Sequence, residues 1–314
     1  MDLLMLKGAE VRDLIDPGDL LDQLAEGFKG LTAGRVSAPG RNQVTTPEGF
    51  LMSMPAFLPG NLLAVKLVSV FEGNHDLGLP SHHAVIVLFD SQTGVARAIL
   101  DGTYLTALRT AGGAALSARL LARADAKILT IIGAGVEGET HLALVPTVRP
   151  FQEIQIASRT FEHAQKLASL DPRARAVESI EEAVRSADVL CLCTSSAAPI
   201  LDMDWLKAGV HVTSVGYNPP GGELPREINR SARVFVETRQ AFEPPPVGSS
   251  ELVGIEPQDG SELGEVLLNL RPGRRSDDEA TVYKSMGHAM EDMIAANMVY
   301  RRALEAGMGK VVEI

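Results

Sequence analysis

The feature that most constrains this fold is a glycine pattern, Gly133-Ala134-Gly135-Val136-Glu137-Gly138, set between two kinds of periodicity. Lys127-Ile128-Leu129-Thr130 leads into it as a strand, and a helical pattern follows from Glu139. The spacing is G-x-G-x-x-G. The first glycine makes a tight turn, the second lets a pyrophosphate approach the backbone, and the third lets helix and sheet pack closely. Unpaired N–H groups at the helix start, aided by the helix dipole, would face the phosphates. A strand, this turn and a helix in succession point to a parallel sheet that binds a dinucleotide.

The neighbouring sequence extends that reading. Strand-like runs at 128–132, 154–157, 189–193, 211–215 and 233–236 alternate with helical or loop segments, the signature of a Rossmann-like, doubly wound α/β sheet. Residues up to about 102 have another texture. Asp16-Pro17 reads as N-cap and first position of a helix with Leu20, Leu21, Leu24, Phe28 and Leu31 on its inner face and Gly34 as its stop. Strand runs follow at Phe50–Pro55, Leu62–Phe71, His83–Asp90 and Val95–Asp101. The last two flank the turn Ser91-Gln92-Thr93-Gly94, so an antiparallel α+β unit is expected.

A helix is expected at about 106–122, and another at about 282–306 with Met286, Met290, Met293, Ile294 and Met298 on its core face. Gly307 and Gly309 end it, and Val311-Val312 would return as a strand to the first unit. The dinucleotide domain, 116–289, is therefore read as an insertion in a second domain, 1–115 plus 290–314. Glu243 to Ser250 reads as a stiff exposed connection and Arg271 to Glu279 as a charged turn.

The chain of 314 residues carries a net charge of -11, which disfavours nucleic acid or an acidic membrane as partner. No apolar run reaches membrane-spanning length, and the start lacks the basic region of a signal peptide, so a soluble cytoplasmic protein is expected. Cys191 and Cys193 share one strand face and read as buried thiols rather than a disulfide or zinc site. His82 and His83 point to opposite faces of a strand, and no spacing completes a metal site.

Ser158-Arg159-Thr160 ends the second strand, with Ser158 following Gly138 by 20 residues. An NAD site usually places a carboxylate at such a strand end. Here Arg159 stands ready for a 2′-phosphate, so NADP is favoured, with NAD as the alternative. Glu137 runs against the pattern: its charge suits the helix dipole but repels a pyrophosphate unless it points away. Three cations also stand out in the first domain: Arg41, Lys66 inside an apolar strand, and Arg109. A lysine among apolar neighbours is costly to bury unless it meets an anion.

Met52-Ser53-Met54-Pro55-Ala56, Ala64-Val65-Lys66-Leu67-Val68 and Leu100-Asp101-Gly102-Thr103-Tyr104-Leu105-Thr106-Ala107-Leu108-Arg109-Thr110-Ala111 resemble the ornithine cyclodeaminase/mu-crystallin family. So do Ile132-Gly133-Ala134-Gly135, Ala157-Ser158-Arg159-Thr160, Ser214-Val215-Gly216 and Thr281-Val282-Tyr283-Lys284-Ser285-Met286-Gly287. The resemblance implies a homodimer formed through the non-Rossmann domain. It also implies that Arg41, Lys66 and Arg109 hold the carboxylate of a small α-amino or α-imino acid, near Met54 and His82. The cofactor contacts it implies are Thr110, Gly133, Ala134, Gly135, Val136, Glu137, Ser158, Arg159, Thr160, Thr194, Val215 and Gly216. Asp101 enters as a supporting residue.

One departure narrows the chemistry. Cyclodeaminases of that family carry an aspartate just after the Val-Gly strand end, where this chain has Asn218, and an amide does not shuttle protons. The reading is therefore an NAD(P)H-dependent oxidoreductase of imino or amino acids, with Lys66, Arg109 and Asn218 as catalytic candidates. Its alternatives are a cyclodeaminase or a crystallin-like carrier of NADPH and a small ligand.

Overall fold

The computed structural model describes residues 2–245 and 247–313. Pro246, in the expected 243–250 connection, and Met1 and Ile314, at the ends of the expected first domain, lie outside them. The chain divides into two compact units, residues 1–109 with 288–314 and residues 110–287.

In chain order the first part contains β1 (Asp2–Leu6), α1 (Gly8–Asp13), α2 (Pro17–Thr32), β2 (Asn42–Thr45), β3 (Phe50–Ala56), β4 (Leu63–Val70), β5 (His82–Phe89), β6 (Ala96–Asp101) and α3 (Gly102–Leu121). There follow β7 (Ile128–Ile132), α4 (Val136–Leu144), β8 (Glu153–Ala157), α5 (Phe161–Ala168), β9 (Ala174–Ala176), α6 (Ile180–Ser186), β10 (Val189–Leu192) and β11 (His211–Ser214). The chain closes with α7 (Ile228–Ser231), β12 (Ala232–Val236), β13 (Ser261–Glu262), α8 (Leu263–Leu267), β14 (Ala280–Lys284), α9 (Ala289–Ala306) and β15 (Lys310–Glu313).

Among the described residues of the first unit, seven strands form a sheet in the order β15-β1-β6-β5-β4-β3-β2. Strands β2 to β6 run antiparallel, but β1 lies parallel to β6, so the unit is mixed rather than purely antiparallel. Five residues without a flanking turn signal give β1 too little local pattern; its pairing with β6 and β15 makes it a strand. The β5–β6 turn is built on Asp90, whose Oδ1 accepts from Gln92 N, Thr93 N and Thr93 Oγ1 before Gly94 turns at φ +73°.

Helices α2 and α9 pack together on one side of this sheet. Asp16 caps α2 by accepting from Asp19 N. A Cβ at Gly27 would lie 2.3 Å from Met290 Sδ, so α2 and α9 meet where one of them has no side chain. Leu20, Leu24, Phe28, Ile86, Leu88, Leu100, Met290 and Met293 are wholly buried.

The expected helix over 282–306 is two elements. Ala280–Lys284 is a strand buried between β11 and β12, and the helix starts only at Ala289. β-Branched and aromatic residues at Thr281-Val282-Tyr283 suit a central strand. Gly287 then turns at φ +65°, and the His288 ring accepts from Met290 N to start α9. Met286 belongs to neither element and packs on Val234, Val236, Phe242 and Leu252.

In the second unit eight described strands form a parallel sheet, β13-β12-β14-β11-β10-β7-β8-β9. The order reverses at β7, which has β8 on one side and β10 on the other; in such sheets ligands bind in the crevice outside the strand ends at this point. The carbonyls that end α3 are closed off by guanidinium groups, Arg149 donating to Arg119 O and Ala122 O and Arg274 to Leu121 O. The 243–250 connection is exposed at Glu243, Pro244 and Val247, but Gly248, Ser249 and Ser250 are buried. Among the described residues no helix is long and apolar enough to cross a membrane.

Candidate active site

Strand register assembles the first unit's charged cluster. Met54 pairs with Lys66 and Lys66 with Ile86, so these residues form one row across three strands. Asn42 pairs with Ser53, so Arg41, one residue before β2, continues the row toward Met54. Lys66 lies on the sheet face where Ala64 and Val68 are also buried, and is 2% exposed.

The anion that justifies its burial is a residue of this chain which the sequence reading missed. Asp292 Oδ2 stands 2.7 Å from Lys66 Nζ, and its Oδ1 accepts from Arg109 Nε at 2.9 Å. Arg109 also reaches Glu291 Oε2 at 3.4 Å, and that oxygen accepts His288 N as part of the cap of α9. The first turn of α9 thus supplies two carboxylates. The available signal was two acids at the start of a helix otherwise lined by Met290, Met293 and Ile294.

Burial is the largest influence on Lys66, pulling its ammonium from the usual 10.5 down to about 8; Asp292 pulls it up, while Arg109 and Arg41 push it down further. Burial also disfavours the Asp292 carboxylate, but Lys66 and Arg109 outweigh it and hold the acid below its usual range. Three cations, Arg41, Lys66 and Arg109, therefore face two carboxylates, Glu291 and Asp292. Among these five groups the cations outnumber the acids by one.

His82 pairs with Val70, which places it on the Lys66 face but four residues along the strand, about 13 Å away. Its ring bonds Ser81 Oγ, and it is exposed. The structure does not bring His82 to the cluster. Asp101 Oδ1 accepts Tyr104 N and starts α3, the helix that carries Arg109 and, next to it, buried Thr110.

In the second unit two glycines of the fingerprint are forced by close contacts, and the other borders open space. Gly133 turns at φ +113°, and a Cβ there would lie 2.4 Å from Cys193 O. A Cβ at Gly138 would lie 2.1 Å from Gly133 O. At Gly135 a Cβ would meet no protein atom, so the space ahead of α4 is open. Ala134 is half-buried, and Val136 at the first helical position is 62% exposed. No side chain caps this helix start. Glu137 Oε2 lies 3.9 Å from His141 Nδ1, one turn along the helix. His141, driven by burial to about 4, is neutral and holds Glu137 O at 2.6 Å.

Arg159 is exposed just beyond β8, between half-buried Ser158 and Thr160, and makes no ion pair among the described residues. Thr194 and Gly216 differ from expectation. Their N–H donors, and the Thr194 hydroxyl, are bonded to buried Glu223, a residue missed from sequence. They are therefore not free to bind a cofactor through those donors. Val215 between them is half-buried. Asn218 donates its amide to Ser195 O at 2.8 Å, which ties down the turn. Cys191 and Cys193 are buried thiols.

Comparison with known proteins matches this geometry to a family. The model of the ornithine cyclodeaminase/mu-crystallin family matches residues 1–307. Mouse ketimine reductase mu-crystallin is 36% identical over 306 residues, covering 94% of this chain and 96% of its own. Thermococcus litoralis Δ1-pyrroline-2-carboxylate reductase, solved with NADH and L-proline, superposes with a TM-score of 0.92 at 31% identity, covering 99% of this chain and 100% of its own. An archaeal alanine dehydrogenase dimer with bound NAD gives 0.92 at 30% identity, with both chains fully covered.

Proposed function

The chain belongs to the ornithine cyclodeaminase/mu-crystallin family, and from that premise we propose that it is an NADPH-dependent reductase of small α-imino acids, or the amino-acid dehydrogenase that runs the same reaction in reverse. The observation that carries this reading is the buried Lys66–Asp292–Arg109 cluster, with Arg41 near enough to act on Lys66. A carboxylate is the ligand that such a group of cations suits.

The dinucleotide fits the second unit on two counts: open space at Gly135 before a helix start with no side-chain cap, and an exposed arginine just beyond β8. Backbone N–H groups at Val136 and Glu137 would hold the pyrophosphate, and Arg159 with Ser158 and Thr160 the 2′-phosphate. NAD remains the alternative cofactor, since relatives are solved with NADH or NAD. When bound, the nicotinamide supplies the hydride.

The protein's own part is to bind, orient and manage one proton. Arg109, held by Asp292, would bring its guanidinium charge to the substrate carboxylate, together with Arg41. Lys66, with a value of about 8, holds a proton at neutral pH and gives it up readily, which suits control of the substrate nitrogen. A protonated imine is already electrophilic, so positioning carries most of the remaining work. Asn218 gives this chain no carboxylate for the ring closure and ammonia loss of a cyclodeaminase.

The partner we infer is a second copy. Leu51, Leu63 and Val85 are exposed and apolar on the sheet face opposite Lys66, and an archaeal relative is a dimer. A free amino or imino acid substrate, with two reduced thiols in the chain, fits the cytoplasm.

The test follows NADPH oxidation with a panel of cyclic imines and of keto acids with amines. Turnover is expected on α-carboxylated imines. No turnover on any of them despite tight NADPH binding overturns the reductase reading in favour of a carrier. Ammonia release from ornithine or lysine with no net cofactor change overturns it in favour of a cyclodeaminase.

A further inference from the structure

A second buried ionic cluster lies under the end of the parallel sheet, in residues that neither the glycine turn nor the carboxylate site uses. Glu223 is 0% exposed, and all its acceptor capacity is spent on the ends of two strands. Its Oε2 accepts Thr194 N and Thr194 Oγ1, both at 2.7 Å, just beyond β10. Its Oε1 accepts Ser214 Oγ at 3.0 Å and Gly216 N at 2.7 Å, at the end of β11.

The support behind it is also ionic. Lys284, 0% exposed at the end of β14, donates to Ser214 Oγ at 3.0 Å and to Gly216 O, and pairs with Glu251 Oε2. Glu251 Oε1 in turn accepts Leu224 N, next to Glu223. Gly216 has no room for a side chain, since a Cβ would lie 2.3 Å from Thr194 O and 2.7 Å from Glu223 Cδ. The turn Val215–Asn218 leaves this anchor directly, and Asn218 ties its far side to Ser195 O.

Position decides what such an anchor is for. The sheet order reverses between β7 and β10, and a Cβ at Gly133 would come within 3.2 Å of Thr194 Cγ2. Thr194 therefore borders the crevice on the side opposite β8 and Arg159. In a doubly wound dinucleotide fold the adenosine half lies over the first strands, and the second half of the sheet receives the other nucleotide.

We propose that Glu223 is a positioning residue for the nicotinamide half of the cofactor site: it ties the ends of β10 and β11 together and so fixes the Val215–Asn218 turn. It acts through Thr194 and Gly216 and touches no reacting atom. This rests on the dinucleotide reading given above.

Titration calorimetry with NADPH and with 2′-phospho-ADP-ribose, which lacks the nicotinamide ring, tests it. In Glu223→Gln the amide has one acceptor oxygen, so one strand end loses its partner and meets an N–H donor instead. The variant should bind NADPH about tenfold or more weakly and bind 2′-phospho-ADP-ribose like the wild type. Equal weakening of both ligands, or of neither, overturns the positioning role. If the wild type binds neither ligand, the dinucleotide reading itself falls and takes the proposal with it. Should Glu223→Gln fail to fold, Ser214→Ala removes one donor to Glu223 with little change of shape. A selective loss of NADPH affinity in that variant supports the role, and unchanged NADPH affinity overturns it.

Discussion

The two buried ionic clusters use the same ingredients to opposite ends. In the first unit, Arg41, Lys66 and Arg109 face Glu291 and Asp292, so cations are in excess. In the second, Lys284 stands among Glu223 and Glu251, and carboxylates are in excess. The acidic excess is tolerable because backbone N–H groups and hydroxyls fill the Glu223 oxygens, making it a clamp on strand ends. The cations of the first cluster are the groups we propose for an incoming carboxylate. One cluster organises strand ends; the other is the proposed substrate site.

The contrast fails first if the two lysines respond alike. Lys284→Met should cost about 3–5 kcal/mol of stability by chemical denaturation, because it leaves Glu251 buried without its cation. Lys66→Met should cost clearly less stability, since Arg109 still pairs with Asp292. It should nonetheless lower kcat/KM for the imine about 100-fold or more, with NADPH affinity retained. Equal stability losses, or unchanged turnover in Lys66→Met, would erase the distinction.

Next in size is cofactor choice. Arg159→Ala should weaken NADPH about tenfold or more and leave NADH unchanged, measured by fluorescence titration. Equal effects on both would mean that Arg159 does not meet the 2′-phosphate.

A pH profile sharpens the account of Lys66. Imine reduction should fall above pH about 8 as its ammonium is lost, through a single ionisation. In Asp292→Asn that limb should move to lower pH, because the aspartate is the main influence holding the value up. The stability linkage has the opposite sign to activity. Between about 8 and 10.5 the unfolded chain binds a proton at this lysine that the folded chain does not, so its contribution to stability rises with pH there. A limb that stays put in Asp292→Asn would assign the ionisation to another group.

The smallest expected effect concerns the thiols. Cys191, pushed up to about 12 by burial, and Cys193 beside it should resist alkylation in the folded protein at neutral pH, read by mass spectrometry. Rapid labelling would mean that this strand end opens.

Much of this was legible along the chain because it is local. The glycine fingerprint, the Asp16 cap, the hairpin at Asp90 and the buried cysteines each depend on residues a few positions apart. Lys66 announced an anion by its apolar neighbours. The helix expected at 282–306 shows where local reading fails: methionines keep a helical period across Gly287, yet Thr281 to Lys284 fits the gap between β11 and β12. Short edge strands such as β2, β9 and β13 carry too few residues to show a period at all.

By itself, then, the sequence determined that a G-x-G-x-x-G turn follows β7, that an arginine follows β8, and that a lysine sits inside an apolar strand of the first unit. Spacing and residue chemistry decide those. Only the tertiary structure named the partners: Asp292 is 226 residues from Lys66 in sequence and 2.7 Å away in space. Glu223 reaches back 29 residues to Thr194. Such pairs follow from strand register and helix packing, and the burial that makes them strong exists only once the chain has folded.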